Sequence, residues 1–137
     1  MVKTYKELIA WQMGMDLVRR VYAMCKLFPK VEQYRLVDQL TRAAVSVPSN
    51  IAEGLGRSTN KDFAHFVSQA RGSLFEVETQ LLIAKDLEFV TDISSEMQLI
   101  EELAKIMHGL LRKLTLHPTP NHLPPNSYPL PLTPISL

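Results

Sequence analysis

Along most of this chain, apolar residues recur at steps of three and four, the spacing that lines one face of an α-helix. Leu8, Trp11, Met15, Val18, Tyr22 and Cys25 form one such stripe, and Ala10, Gly14, Leu17, Val21, Met24 and Phe28 run beside it. Two adjacent stripes make an apolar face wider than one neighbour needs. Pro29 disfavours helical geometry at Phe28, so the first helix stops there. A second helix carries Tyr34, Val37, Leu40, Ala44, Val47, Ile51 and Leu55 on one face. A third carries Phe63, Val67, Ala70, Leu74, Val77, Leu81 and Ala84, and a fourth Ile100, Leu103, Met107, Leu110 and Leu114. No segment sustains the alternation of a strand. Short connections favour antiparallel neighbours, so the pattern predicts an all-α fold: an antiparallel up-down-up-down four-helix bundle over residues 1–115.

Residues 116–137, LHPTPNHLPPNSYPLPLTPISL, break the pattern. Seven of the nine prolines fall here, and no charged residue does. Proline lacks the backbone donor that helix and sheet require, so this reads as a proline-rich tail, disordered or loosely packed on a neighbour. Pro131 and Pro134 have the P-x-x-P spacing of a partner motif.

The stretch RAAVSVPSNIAEGLGRST, residues 42–59, is where chemistry has to be sought. A phosphate-binding G-x-x-x-x-G-K-[ST] loop would need glycine where Ile51 stands and lysine where Arg57 stands, and it would follow a strand. Neither Ser46 nor Ser49 sits in a G-x-S-x-G elbow. Cys25 lies on an apolar face with no histidine near it in sequence, the setting of a structural cysteine. Asp62 and His65 make a lone Asp-x-x-His, short of the ligand set a di-iron bundle requires. The reading therefore has no catalytic residues, no metal and no cofactor. What remains is a kinked helix. The stripe keeps its register through Pro48, from Ala44 to Val47 to Ile51, so the second helix continues past the proline. Ser46, Ser49 and Asn50 are placed to satisfy freed backbone groups. Gly54 and Gly56 are read as the left-handed residues that end this helix, and Thr59 with Asp62 as the cap that starts the next.

A length of 137 residues suits one domain, and 46% apolar with 21% charged residues is the balance of a globular protein. The net charge of +1 points to no global attraction for nucleic acid. Its distribution is uneven: ten Lys/Arg face five Asp/Glu in residues 1–61, and five face nine in residues 62–115. The plain explanation is that two solvated halves attract each other within the bundle. The sharper one is a basic face for RNA or DNA, made of Arg19, Arg20, Lys26, Lys30 and Arg35 at one end, with Arg57 and Lys61 flanking the start of the third helix. One cysteine rules out an internal disulfide. Glu7 and Asp16 interrupt the N-terminal apolar pattern, so neither signal peptide nor membrane span is expected, and a cytoplasmic setting follows.

LTRAAVSVPSNIAEGLGRS followed by FAHFVSQARGSLFEVETQL resembles the four-helix-bundle family encoded by 23S rRNA intervening sequences. Distant relatives of that family include the accessory protein of diversity-generating retroelements. The resemblance rests on Arg42, Ala43, Ser46, Pro48, Asn50, Ile51, Ala52, Glu53, Gly54 and Arg57, then on Phe63, Phe66, Ala70, Gly72, Ser73 and Glu76, with support from FPKVEQYRLVDQL upstream. It covers roughly residues 8–114. It implies a homopentameric bundle without enzymatic activity, and partners that include nucleic acid and a nucleic-acid enzyme encoded nearby.

Arg42, Ser46, Asn50 and Glu53 recur at helical spacing, as do Ser73 and Glu76 on the third helix. Folding the two helices back about Arg57 sets Ser46 near Gln69 and Arg42 within reach of Glu76, with Gly72 and Ser73 small enough for close approach. The expectation is a structural polar seam that fixes helix register. Three functions follow in order: a non-catalytic oligomeric adaptor or scaffold for a nucleic-acid complex, a sequence-tolerant RNA- or DNA-binding protein, and an enzyme with a polar pocket between the second and third helices.

Overall fold

The structure, a computed structural model, describes residues 2–116. Four α-helices account for most of them: α1 (Ile9–Cys25), α2 (Leu36–Leu55), α3 (Asn60–Asp86) and α4 (Ser94–Leu116). Single 3-10 turns at Tyr5–Glu7 and Lys30–Glu32 precede α1 and α2. No strand occurs among the described residues. The helices pack in a ring, each against its neighbours in sequence, with α4 closing on α1. Apart from Leu116, which extends α4, the proline-rich segment lies outside the described residues.

The apolar stripes are the core. Every member of the α3 stripe, from Phe63 to Ala84, is fully buried, and so is the α4 stripe from Ile100 to Leu114. On α1 the two stripes separate. Ala10, Leu17, Val21, Met24 and Phe28 go inside, while Trp11, Val18 and Cys25 pack only partly against the core and Tyr22 is half exposed. Tyr34 departs from its expected place: it is 91% exposed, because α2 begins two residues later at Leu36 and leaves Tyr34 in the preceding turn.

Helix α2 runs without a break through the buried Pro48. The Asn50 amide donates to the Ser46 carbonyl and to Ser46 Oγ, both at 2.9 Å, tying down the turn that holds the proline. Gly14 of α1 lies against Pro48, where a methyl group at residue 14 would meet the ring at 3.3 Å. The glycines at the end of α2 are not left-handed. Gly54 lies inside the helix, and Gly56 has φ −75°, a right-handed value open to any residue. Gly54 is required for closeness instead. A Cβ there would stand 2.8 Å from Phe63 Cδ1 and from Phe66 Cβ. Gly72, expected to permit close approach, has nothing within 4 Å of the position a Cβ would take.

Thr59 caps α3 as the sequence predicts, its Oγ1 accepting from the Asp62 N–H at 3.0 Å. The left-handed residue lies at the other end of α3, at Glu88 (φ 64°). There the Phe89 N–H reaches the Ala84 carbonyl at 2.9 Å and the Glu88 N–H reaches Lys85 at 3.0 Å, the paired bonds of a Schellman ending. Phe89 then packs on Phe28, ring centres 5.6 Å apart, so the α1–α2 and α3–α4 connections meet at one end of the bundle.

Two glycine substitutions are therefore expected to act in opposite directions in urea denaturation. Gly54→Ala should destabilise by about 1–3 kcal/mol, because overpacking against Phe63 and Phe66 exceeds the gain in helix propensity. Glu88→Gly should stabilise by about 1 kcal/mol by removing a Cβ from a left-handed position.

Candidate functional site

The seam between α2 and α3 is smaller than its sequence pattern. At its centre Ser46 Oγ and Ser73 Oγ share a hydrogen bond of 2.8 Å, with Asn50 donating to Ser46 from the next turn. All three residues are half-buried. Ser46 thus faces Ser73 rather than Gln69, whose side chain instead meets His65 one turn away at 3.1 Å. The turn between α2 and α3 is centred later than Arg57, which moves the facing residues along α3.

The charged members of the expected seam are elsewhere. Arg42 is 79% exposed and pairs with Asp38 at 3.2 Å on its own helix, in place of Glu76. Glu53 is exposed and pairs with Arg57 at 3.2 Å, and Glu76 is exposed on α3. Long charged side chains at the edge of a helix contact reach solvent, and a partner four residues away is available without desolvation.

The basic residues separate into two ends and into two kinds. Arg20 bonds Asp16 at 2.9 Å and donates to the Ser95 carbonyl at 3.3 Å, bridging α1 to the start of α4. Arg35 stands 3.8 Å from Glu32. Arg57 pairs with Glu53 and lies over the Phe66 ring, 4.6 Å from its centre. Arg19, Lys26, Lys30 and Lys61 are exposed and make no ion pair among the described residues. The first three lie on or just beyond the second half of α1, whereas Lys61 belongs with Arg57 at the α2–α3 turn.

Cys25 is half-buried at the end of α1, and burial pushes its thiol up to about 11. Such a thiol is protonated and a poor nucleophile near neutrality. Among the described residues, no group of three or more His, Cys, Asp or Glu side chains is placed to hold a metal ion. No helix among them is long and apolar enough to cross a membrane.

Two features had no signal in the sequence reading. Asp92 accepts from the Ser94 N–H at 2.9 Å and from its hydroxyl at 2.7 Å, and these bonds hold its carboxyl below the usual carboxylate range. A groove of about 840 Å³ also opens between α3 and α4, past Phe75, Met97, Ile100 and Ala104.

These features define a class: an all-helical bundle with a minimal hydroxyl–amide contact at its centre and its charges held outside. Residues 6–109 match the model of the 23S rRNA-intervening sequence protein family. That match covers most of the chain, and the chain belongs to this family. No curated protein matches it.

Substitution separates the small contact from the charged rim. Arg42→Ala should change unfolding free energy by less than about 0.5 kcal/mol, as for an exposed ion pair within one helix. Ser46→Ala should destabilise by about 1 kcal/mol, because Ser73 and Asn50 both lose a partner. Thermal and urea unfolding of the two variants tests this, and the reverse order would mean that Arg42 reaches across to α3.

Proposed function

We propose that the chain is a non-catalytic, self-associating bundle that serves as an adaptor or scaffold in an RNA-associated complex. The observation that carries this is membership of the 23S rRNA-intervening sequence protein family over the bundle itself, residues 6–109. A cytoplasmic setting belongs to the same proposal. An up-down-up-down course, with α2 bent at Pro48, is its structural half. Position 54 lies against 63 and 66 while position 46 lies against 73, so one index falls as the other rises.

Self-association is supported by leftover apolar surface. Tyr22, Leu27, Val31 and Tyr34 are exposed around the α1–α2 connection, and Leu82, Ile83 and Leu87 near the end of α3. The contact of Phe28 with Phe89 gathers both groups at one end. Apolar surface concentrated in this way marks interfaces more often than scattered single residues do. The number five rests on the family resemblance. The non-catalytic reading is supported by the seam, where the Ser46 hydroxyl engages the Ser73 hydroxyl and accepts from the Asn50 amide, with no imidazole or carboxylate bonded to either serine among the described residues.

Direct, sequence-tolerant binding of RNA or DNA is a second reading, favoured by Arg19, Lys26 and Lys30, which stand exposed without ion pairs. A ring of subunits would repeat this group and raise avidity.

Sedimentation equilibrium at micromolar concentration should give a multiple of the 15.6 kDa chain mass. A monomer mass would remove the scaffold reading. Titration of labelled RNA and DNA at low and moderate salt tests the second reading. Binding should weaken steeply with salt and should fall with Arg19→Glu combined with Lys26→Glu. Absence of binding at low salt would remove it.

A further inference from the structure

The groove of about 840 Å³ between α3 and α4 is used by neither the bundle core nor the basic end. Its floor is apolar: Ile100 at the bottom, Met97 and Ala104 partly exposed along α4, and the half-exposed Phe75 ring on the α3 side. Hollows of about 300–1,000 Å³ enclose drug-sized molecules, so an aromatic side chain fits here. Glu78 lines the same groove, half-buried and without an ion pair among the described residues. A carboxylate partly withdrawn from water gains from a cation brought to it.

The opposite feature stands on another side of the bundle. Leu27, Val31 and Tyr34 of the α1–α2 connection each expose more than half of their surface, Tyr34 most of all. Tyr34 lines a hollow between α1 and α2 together with Tyr22, Val37 and Thr41, which places it on the outer α1–α2 side. Tyrosine is among the side chains that most often anchor protein contacts, because it combines a large apolar area with few rotatable bonds. Lys30, four residues before it, is exposed and makes no ion pair among the described residues.

Topology and charge say what brings the two together. The helices pack in the ring α1–α2–α3–α4, so the α1–α2 side and the α3–α4 side face away from each other. A chain cannot place its own Tyr34 in its own groove, and two copies cannot exchange both contacts at once. A contact between such faces runs head to tail and closes as a ring of more than two subunits. Residues 1–61 carry ten Lys/Arg and five Asp/Glu, and residues 62–115 carry five and nine. No ion pair crosses from one half to the other among the described residues. Head-to-tail stacking sets the basic half of one copy against the acidic half of the next, and such complementarity fixes register between partners.

We propose that Tyr34 of one copy seats in the α3–α4 groove of the next, against Phe75, Met97 and Ala104, with Lys30 meeting Glu78. This rests on the self-association proposed above and names its two faces. Arg19, further back along α1, stays outside the contact.

The test is sedimentation equilibrium of the full chain at micromolar concentration, with helical circular dichroism to show that each variant stays folded. Tyr34→Asp and Ala104→Arg should each weaken association at least tenfold, toward the single-chain mass of 15.6 kDa. An equimolar mixture of the two should give a dimer and nothing larger, because one intact Tyr34 and one intact groove remain in each pair. Lys30→Glu and Glu78→Lys should each weaken association, and both together in one chain should restore it. This charge reversal carries the test if Ala104→Arg does not fold. A monomeric wild-type chain would remove self-association and this contact with it. An oligomer unchanged by Tyr34→Asp and by the single charge reversals would overturn the contact and leave self-association standing. A mixture that stays monomeric, a double charge variant without recovery, or a wild-type assembly that stops at two copies would equally overturn the contact.

Discussion

Helix α2 carries a proline on its buried face, and the bundle is arranged around making room for it. Pro48 cannot donate to Ala44, and its ring crowds that carbonyl, which in a plain helix costs about 3 kcal/mol or more. The neighbouring helix answers the bulk with a hydrogen atom: Gly14 of α1 sits where any Cβ would press on the ring at 3.3 Å. A turn and a half later Gly54 performs the same service toward α3, admitting Phe63 and Phe66. One face of α2 is thus fitted to α1 and the next to α3, each through a glycine that no larger residue replaces without movement. Between them, Asn50 and Ser46 hold the backbone around the proline and hand a hydroxyl to Ser73. The α2–α3 contact is the most extensive between any two helices, and α4 completes the ring from the far side.

Charge contributes little to this arrangement. Each of the five ion pairs among the described residues joins side chains three or four positions apart on one helix or turn. The expectation that a basic first half attracts an acidic second half across the bundle finds no ion pair to carry it. Arg20 reaches α4 through a backbone carbonyl, and Arg57 meets α3 through the Phe66 ring, neither by an ion pair. Exposed pairs of this kind contribute a fraction of a kcal/mol each. Stability therefore rests on the buried stripes.

The difference between what the sequence disclosed and what it hid follows from the same division. Periodicity reports which face of a helix is apolar, and burial selects that face directly, so the α3 and α4 stripes were legible residue by residue. It does not report how far one helix is slid along another. Taking Arg57 as the turn placed Ser46 beside Gln69, and the actual partner, Ser73, lies about one turn further along α3. Arg42 was misplaced for a related reason: a long side chain at the boundary of a polar stripe is free to choose solvent and Asp38. Glycine misled in a third way. Gly54 and Gly56 have the composition of a helix ending, yet Gly54 is present for contact and the left-handed ending falls on Glu88, where composition carries no hint. Space around a residue is a tertiary fact that no local pattern encodes. The α3–α4 groove escaped for that reason too.

The surface that remains is polarised along the bundle. At the end formed by the α2–α3 turn, polar groups are drawn inward: Thr59 and Asn60 are buried, and Arg57 is laid over Phe66. Val2 and Leu8 are buried as well. At the opposite end the apolar residues are turned outward, with Tyr22, Leu27, Tyr34, Leu82 and Leu87 exposed alongside Lys26 and Lys30. Val45, Phe75 and Leu116 are exposed elsewhere, but the larger share of the exposed apolar side chains lies at this end, and concentration rather than lone exposure is what marks a contact surface. The asymmetry makes sense if the second end meets something. Its mixture of apolar side chains and exposed lysines is the surface on which the proposed self-association and the proposed nucleic-acid contact both rest.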